Sequence, residues 1–301
     1  MRFHPCSLFF ALLILAGTTP AALAQQNFDN VQIEVVDVAE GVYMLVGSGG
    51  NIGVSAGDDG VFVIDDQYAP LTEKILAAIG TVSDQPVRFV VNTHWHGDHT
   101  GGNENMGAAG AVVVAHENVR ARMSVDQFIE AFGRTVPASP PGALPVITFT
   151  NALTFHWNGD DLHTFHVEHA HTDGDAIIHF KASNVVHMGD TYFNGMYPFI
   201  DVSSGGGIDG MIAAADKVLA MIDDQTKIIP GHGPLSNKAE LTAYRDMLAT
   251  ARGHIHALVS QGKSKEETVA AKPTSTLDAQ WGGGFMQPDV WVGLVYDSLK
   301  K

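Results

Sequence analysis

The segment that follows the apolar run 87–91 constrains this chain more than any other part of the sequence. Within six residues it places four metal-capable side chains, namely His94, His96, Asp98 and His99. In an extended segment, the side chains of residues two apart point the same way, so His94 and His96 can bind one ion. Gly97 then permits a sharp turn, after which the aspartate and the last histidine can face a second ion. Imidazole and carboxylate together suit zinc, whereas an ordinary histidine-rich surface loop would not follow a buried strand with this spacing.

Apolar residues along the chain are arranged as strands followed by helices, and this order occurs twice. The pattern predicts strands near 33–38, 42–46, 51–56, 61–64, 87–91, 112–115, 146–150, 163–167, 176–180, 185–188 and 227–229. It predicts helices at 69–79, from 118 onward, and at 211–222, 239–258 and 288–299. Four prolines within 136–145 indicate a loop. Two β-sheets packed face to face with helices outside would account for this order.

Three later motifs complete a family pattern. They are His171-Thr172-Asp173, Met188-Gly189-Asp190 and Pro230-Gly231-His232, and they follow the His-x-His-x-Asp-His segment in that order. Each motif alone is weak, but the ordered set resembles the metallo-β-lactamase superfamily. The resemblance implies an α/β fold of the αββα four-layer sandwich type, with a metal cleft at one edge of the sheets. We expect residues 25–301 to form one such domain with C-terminal helices.

The same resemblance implies the ligands of two zinc ions per chain. His94, His96 and His171 would bind the first ion, and Asp98, His99 and His232 the second, with Asp190 between the two. Two close ions can share a water and lower its pKa, so that hydroxide attacks a carbonyl carbon. Asp98 is predicted to orient this nucleophile, and Asp190 is the second predicted catalytic residue.

Two further residues leave alternatives open at this point. His169 lies two residues before His171 and could share its face, but the His-Thr pattern favours His171 as the ligand and His169 as a neighbour. Asp65 ends the apolar run 61–64 and matches a family carboxylate that supports the metal loop. A plain turn at the end of the strand is the alternative for Asp65.

The residues around Asp190 bear on the substrate. Well-known broad-spectrum zinc β-lactamases carry a cysteine at this position. The aspartate found here resembles that of glyoxalase II-like thioesterases and lactonases. Three residues later, Phe193 stands where those lactamases have a lysine that binds the substrate carboxylate. The aromatic loop 192–200 is either a wall of the pocket or a buried loop that packs on the core.

A β-lactamase-like hydrolase of cyclic amides is the leading expectation for the function. Cleavage of an ester, lactone or thioester by the same fold is the alternative. From another class, the same ligand set can hold a single iron ion in persulfide dioxygenases, and a catalytically inactive binding module is disfavoured because no ligand position is missing.

The N-terminus predicts export. Arg2 precedes a short apolar stretch, and Ala22-Leu23-Ala24 is typical of a signal-peptidase site, so residues 1–24 are expected to be a cleaved signal peptide. The only cysteine, Cys6, would leave with it. We therefore expect a periplasmic or secreted protein without a membrane span. A net charge of −16 disfavours nucleic acid as a partner and leaves a small-molecule substrate, with the oligomeric state open.

Overall fold

The computed structural model describes Met1 and residues 27–300. The predicted signal peptide lies outside the described residues apart from Met1, so the division into a leader and one domain stays a prediction. Among the residues described, no helix is both long and apolar enough to cross a membrane.

Fifteen strands occur among the described residues. The first nine are β1 (Glu34–Ala39), β2 (Val42–Val46), β3 (Ile52–Ser55), β4 (Val61–Ile64), β5 (Val87–Asn92), β6 (Val112–His116), β7 (Gln127–Ile129), β8 (Arg134–Val136) and β9 (Ile147–Phe149). The other six are β10 (Ala152–Trp157), β11 (Asp160–His166), β12 (Ala176–Phe180), β13 (Val185–His187), β14 (Lys227–Ile229) and β15 (Ser236–Asn237).

Nine α-helices accompany these strands in the described part of the chain. They are α1 (Thr72–Ile79), α2 (Gly97–Thr100), α3 (Asn103–Ala108), α4 (Glu117–Met123), α5 (Ile208–Met221), α6 (Lys238–Ser260), α7 (Lys265–Ala270), α8 (Asp278–Trp281) and α9 (Pro288–Leu299). Short 3-10 turns lie between several of them, for example at Ala69–Leu71 and Gly189–Thr191.

The strands form two large sheets and one separate hairpin. The first sheet has the order β1-β2-β3-β4-β5-β6-β9, and the second has the order β10-β11-β12-β13-β14-β15. Strands β4, β5, β6 and β9 run parallel to one another, as do β13 and β14. Strands β7 and β8 pair only with each other. The loops that follow β5, β11, β13 and β14 carry the metal-capable residues.

Alternation along the strands divides their side chains between two apolar layers. On β4, Phe62 packs between the sheets, whereas Val63 packs in the layer that contains α1. On β12, Ile178 packs between the sheets, whereas Ile177 packs in the layer that contains α5, α6 and α9. The resulting order of helix, sheet, sheet and helix confirms the predicted α/β fold of the αββα type.

The elements that the sequence did not predict are short or lie at an edge. Strand β10 is the outer strand of the second sheet, and its residues alternate between exposed and half-buried positions, which leaves no fully apolar face to detect. Strands β7 and β8 have three residues each, too few to display a period. The predicted helix 69–79 begins as a 3-10 turn, and α1 starts at Thr72.

One prediction tests how strongly the C-terminal helix supports the loop 192–200. Trp291 of α9 is fully buried and stacks on Tyr197, with ring centroids 4.0 Å apart. Replacing Trp291 with Ala should lower the free energy of unfolding by about 3–5 kcal/mol, because a large buried ring leaves a cavity. Urea denaturation measures this. The control is Val290→Ala on the exposed side of the same helix, which should change the stability by no more than about 0.5 kcal/mol. Equal effects of the two changes would contradict the packing.

Candidate metal centre

The predicted metal-capable residues meet at one edge of the two sheets. The loop after β5 carries His94 and His96, and α2, which begins directly after His96, carries Asp98 and His99. The other sheet supplies residues from the loops after β11, β13 and β14, namely His171, Asp190 and His232. Residues far apart in the chain therefore converge because their strands end at the same edge.

The first group contains three histidines and one carboxylate: His94, His96, His171 and Asp190. One ligand atom from each lies within 4.8 Å of the others. The Nδ1 atom of His96 is 3.1 Å from Nε2 of His94 and 2.9 Å from Nε2 of His171. Three ring nitrogens that face one another this closely, with a carboxylate beside them, form the arrangement that a divalent cation requires.

The second group contains Asp98, His99 and His232. The Nε2 atom of His232 is 3.4 Å from Oδ2 of Asp98, and it is also 3.4 Å from Oδ2 of Asp190. The other oxygen of Asp190, Oδ1, is 3.1 Å from Nε2 of His99. Asp190 therefore contacts residues of both groups.

The buried atoms of this centre fit a metal. Nε2 of His99 and Oδ1 of Asp190 are buried and lie 3.1 Å from each other, but neither makes a well-aligned hydrogen bond in the described structure. A buried polar atom that is not properly satisfied costs about 1–3 kcal/mol, so these two facing atoms are suited to sharing a cation. A divalent cation would satisfy both.

Three of the histidine rings donate a hydrogen bond from the ring nitrogen that faces away from the ligand groups. Nε2–H of His96 donates to Asp201 at 3.0 Å, and Nδ1–H of His171 donates to the carbonyl oxygen of Phe199 at 2.8 Å. Nδ1–H of His99 donates to Asp65 at 2.7 Å. These bonds fix the orientation of each ring and leave the inner nitrogen free to accept a metal.

Asp65 supports the loop from the end of β4. Its carboxylate accepts the backbone N–H and the hydroxyl of Thr93, both at 2.7 Å, in addition to the bond from His99. Asp65 adopts the left-handed conformation, with φ at +62°, a strained geometry that such a network over-determines. The contacts agree with the supporting role that the family resemblance implied.

Two glycines allow the backbone to approach the site. A Cβ atom on Gly50 would lie 2.1 Å from the ring of His99, and one on Gly231 would lie 2.1 Å from Oδ1 of Asp190. No side chain fits at either position, because real Cβ contacts are never this short. Two backbone segments therefore close directly onto the ligands.

The charges of the two groups differ in the metal-free protein. Burial lowers the pKa of His171 to about 4 and that of His94 well below its usual value. Burial also opposes charge on His232, but the negative Asp190 and the hydrogen bonds to Asp190 and Asp98 outweigh it and raise the pKa of His232 to about 9. His94 and His171 of the first group therefore present neutral nitrogens at neutral pH, whereas His232 of the second group must lose a proton when it binds a cation.

His169, the alternative to His171, lies away from both groups. Its side chain is exposed, its φ is +50°, and its Nδ1 atom is 3.1 Å from the carbonyl oxygen of Gly205. Thus the structure brings His171 rather than His169 into the first group.

The aromatic loop 192–200 packs on the core and also contacts the histidines of both groups. Tyr192 and Tyr197 are fully buried and pack against the C-terminal helices, through Tyr244 and Trp291 respectively. Phe193 stacks on His232, and Phe199 lies near the rings of both His96 and His171. The loop is a core element that presents two rings to the metal centre.

Asp201 was not predicted from the sequence. It is buried, accepts from His96 and caps a short turn through the backbone N–H of Ser204. The serines after it are a local signal for a capping aspartate, but nothing in the sequence connects it with a histidine 105 positions away.

Comparison with known proteins identifies the family. The sequence profile described as the Metallo-beta-lactamase superfamily matches residues 45–232, which contain every residue of the two groups. The chain belongs to this superfamily. It is 29% identical over 179 residues to a hydroxyacylglutathione hydrolase from Polaromonas sp., a match that covers 59% of this chain and 60% of that relative.

Two solved structures are similar in fold. A metallo-beta-lactamase from Pontibacter korlensis is 20% identical with a TM-score of 0.58, and the match covers 72% of this chain and 99% of that one. The stereoselective inverting sec-alkylsulfatase Pisa1 from Pseudomonas sp. is 16% identical with a TM-score of 0.69, and the match covers 88% of this chain and 50% of that one. At these identities the similarity shows the fold of this superfamily of hydrolases and not the substrate.

A first prediction from the site separates the two neighbouring histidines. His171→Ala should remove one ligand of the first group and abolish both its metal binding and the activity. His169→Ala should leave the metal content near that of the unchanged protein, because its ring is exposed and outside the group. Elemental analysis after dialysis measures both variants, and the opposite ranking would show that the third histidine is wrongly assigned.

A second prediction concerns the shared carboxylate. Asp190→Asn keeps the size of the side chain but removes the negative charge that both groups contact, so metal bound to the second group should weaken first. Asp190→Cys should bind metal better than the Asn variant, because a thiolate restores the charge. Titration with zinc during turnover should show that excess zinc restores part of the Asn variant's activity by mass action. Unchanged affinity and rate in the Asn variant would place Asp190 outside the metal centre.

Proposed function

We propose that this protein is an exported hydrolase that binds two zinc ions and cleaves small acyl thioesters or esters. The observation that supports two ions is the division of the ligands into two groups that share Asp190. Imidazole and carboxylate ligands together suit zinc, and no cysteine after residue 6 is available as a thiolate ligand. Export rests on the signal-like residues 1–24.

The choice of thioester or ester depends on the residues beside the second group. The second group consists of Asp98, His99 and His232, with Asp190 beside it at the position where the well-known zinc β-lactamases have a cysteine. In this respect the sequence resembles glyoxalase II-like enzymes. The hydroxyacylglutathione hydrolase relative is a thioester hydrolase by its name and supports the same choice. Phe193 stacks on His232 at the position where a lysine would otherwise bind a lactam carboxylate, so this anchor is absent.

Cleavage of cyclic amides is the second candidate. It was the leading expectation from the sequence, and a signal-like N-terminus favours it, because an exported enzyme meets such compounds first. The ligand groups would serve either reaction, since both begin with attack of water on a carbonyl carbon.

Bound zinc would lower the pKa of water to near neutrality and polarise the carbonyl group. The metal centre is accessible to substrate from one side. Asp98 and His232 are about one-quarter exposed, whereas the other ligands are buried, so substrate approaches from the side of these two residues.

Asp98 is suited to holding the nucleophilic water. Burial alone would raise its pKa, but the positive charge of His99 and the hydrogen bond from His232 lower it to about 2. The side chain therefore remains a carboxylate, which can accept a hydrogen bond from the attacking water and so align the lone pair of the water with the carbonyl carbon. Hydrolysis adds water across the acyl bond and yields a carboxylic acid and a thiol or alcohol.

A panel of substrates tests the proposed function. Zinc-loaded protein should turn over an acyl thioester and an aryl ester much faster than a chromogenic cephalosporin, and chelation should abolish all three reactions. Asp98→Asn serves as the comparison, because it keeps the shape of the side chain but not its charge, and should reduce turnover at least about 100-fold. Faster cleavage of the cephalosporin would favour the cyclic-amide candidate. One tightly bound iron ion with oxygen uptake would instead support a dioxygenase.

A further inference from the structure

Three phenylalanines form a continuous patch from the surface to the first ligand group. The ring of Phe199 stacks near His96, with centroids 5.7 Å apart, and lies 5.6 Å from His171. Phe132 lies 4.8 Å from Phe199, and Phe285 lies 5.7 Å from Phe132. These separations are those of contacting aromatic pairs, so the patch is a single surface that ends at the metal centre.

Two of the three rings are exposed to solvent. Phe132 is 45% exposed and Phe285 is 66% exposed, whereas Phe199 is buried beneath them. The solvent-exposed part of a ring does not contribute to the buried core, and contiguous exposed apolar surface is typical of a binding site. The patch adjoins the predicted reaction centre, which distinguishes it from scattered exposed residues such as Val146.

The chain segments that carry the exposed rings differ from the rest of the fold. Phe132 lies in the turn of the β7–β8 hairpin, immediately before Gly133, which adopts φ +55°. That hairpin pairs with no other strand. Phe285 follows three consecutive glycines, Gly282 to Gly284, between α8 and α9. Both rings are therefore carried by connecting segments that project beside the sheets, as is common for segments that determine specificity.

We propose that Phe132, Phe199 and Phe285 form a subsite for an apolar alkyl or aryl acyl group of the substrate. This inference rests on the proposed hydrolysis of an acyl bond. The leaving atom would face the partly exposed Asp98 and His232, so the acyl substituent extends to the other side of the carbonyl, where Phe199 lies against the three-histidine group. Aromatic rings bind hydrocarbon through its buried area and provide no donors for a carboxylate, so the subsite selects apolar acyl groups.

A matched series of acyl groups on one leaving group tests the subsite. Zinc-loaded protein is assayed with the acetyl, butyryl, hexanoyl and phenylacetyl esters of p-nitrophenol. In the unchanged protein, kcat/KM should rise about threefold to fourfold for each methylene that is buried, until the patch is filled. In Phe132→Ala and Phe285→Ala, the ratio of hexanoyl to acetyl kcat/KM should fall about tenfold, mainly through KM. A matching series of alkyl thioesters with one acyl group and varied thiols should show no such dependence on Phe132 or Phe285.

The control variant is Phe128→Ala. Phe128 is 55% exposed on the same hairpin, but no ring lies in contact with it among the described residues. It should leave the hexanoyl to acetyl ratio unchanged. A fall in the ratio as large as that of Phe132→Ala would show a general effect of the hairpin and overturn the subsite.

A binding measurement separates the subsite from the proposed function. Calorimetry with hexanoate and acetate, the carboxylate products, needs no turnover. Hexanoate should bind the zinc-loaded protein about tenfold more tightly than acetate, and Phe132→Ala and Phe285→Ala should remove this preference. If no ester is cleaved but the preference is present, the proposed function fails and the subsite stands.

Two results would overturn the subsite. Equal binding of hexanoate and acetate by the unchanged protein would do so whether or not esters are cleaved. A dimer that dissociates in Phe132→Ala and Phe285→Ala, measured by sedimentation, would identify the patch as a contact between two copies if acyl discrimination were also absent.

Discussion

The carboxylate of Asp190 lies between two groups of ligands, and the remainder of the centre is arranged around it. Its two oxygens contact nitrogens from both groups, including His99 at 3.1 Å and His232 at 3.4 Å. A buried carboxylate is costly unless it is paired. Here the surrounding histidines hold the pKa of Asp190 well below its usual value against the effect of burial. Two divalent cations would neutralise the negative charge of the carboxylates more completely than the protons on His99 and His232 do.

The sheets make this concentration of polar groups possible. Apolar layers on both faces of each sheet supply most of the packing, so the loops at one edge can be devoted to ligands. The supports of those ligands come from distant positions: Asp65 after β4 holds His99, and Asp201, far along the chain, holds His96. The backbone at Gly50 and Gly231 then packs directly against His99 and Asp190, respectively. The metal centre is thus preorganised by contacts that lie outside its own ligands.

Local sequence patterns predicted the layers and the metal-capable residues that the structure brings together, because apolar alternation and the His-x-His-x-Asp-His spacing are properties of neighbouring residues. The family resemblance favoured His171 over His169, whereas spacing alone left both open. Asp201, the β7–β8 hairpin and the contact between Phe132 and Phe199 were not predicted. Each depends on two segments meeting in space, and a single sequence carries no signal for such pairs. The loop 192–200 shows the same limit: its composition predicted aromatic packing but not which rings would face the histidines.

Anomalous diffraction at the zinc absorption edge, from crystals grown with zinc, tests the dinuclear centre most directly. Two peaks are predicted in each chain. One should lie about 2.0–2.1 Å from Nδ1 of His96 and from Nε2 of His94 and His171. The other should lie within bonding distance of His99 and His232, with Asp190 in contact with both peaks. A single peak at full occupancy in zinc-saturated crystals, or a second peak away from His99 and His232, would contradict the account.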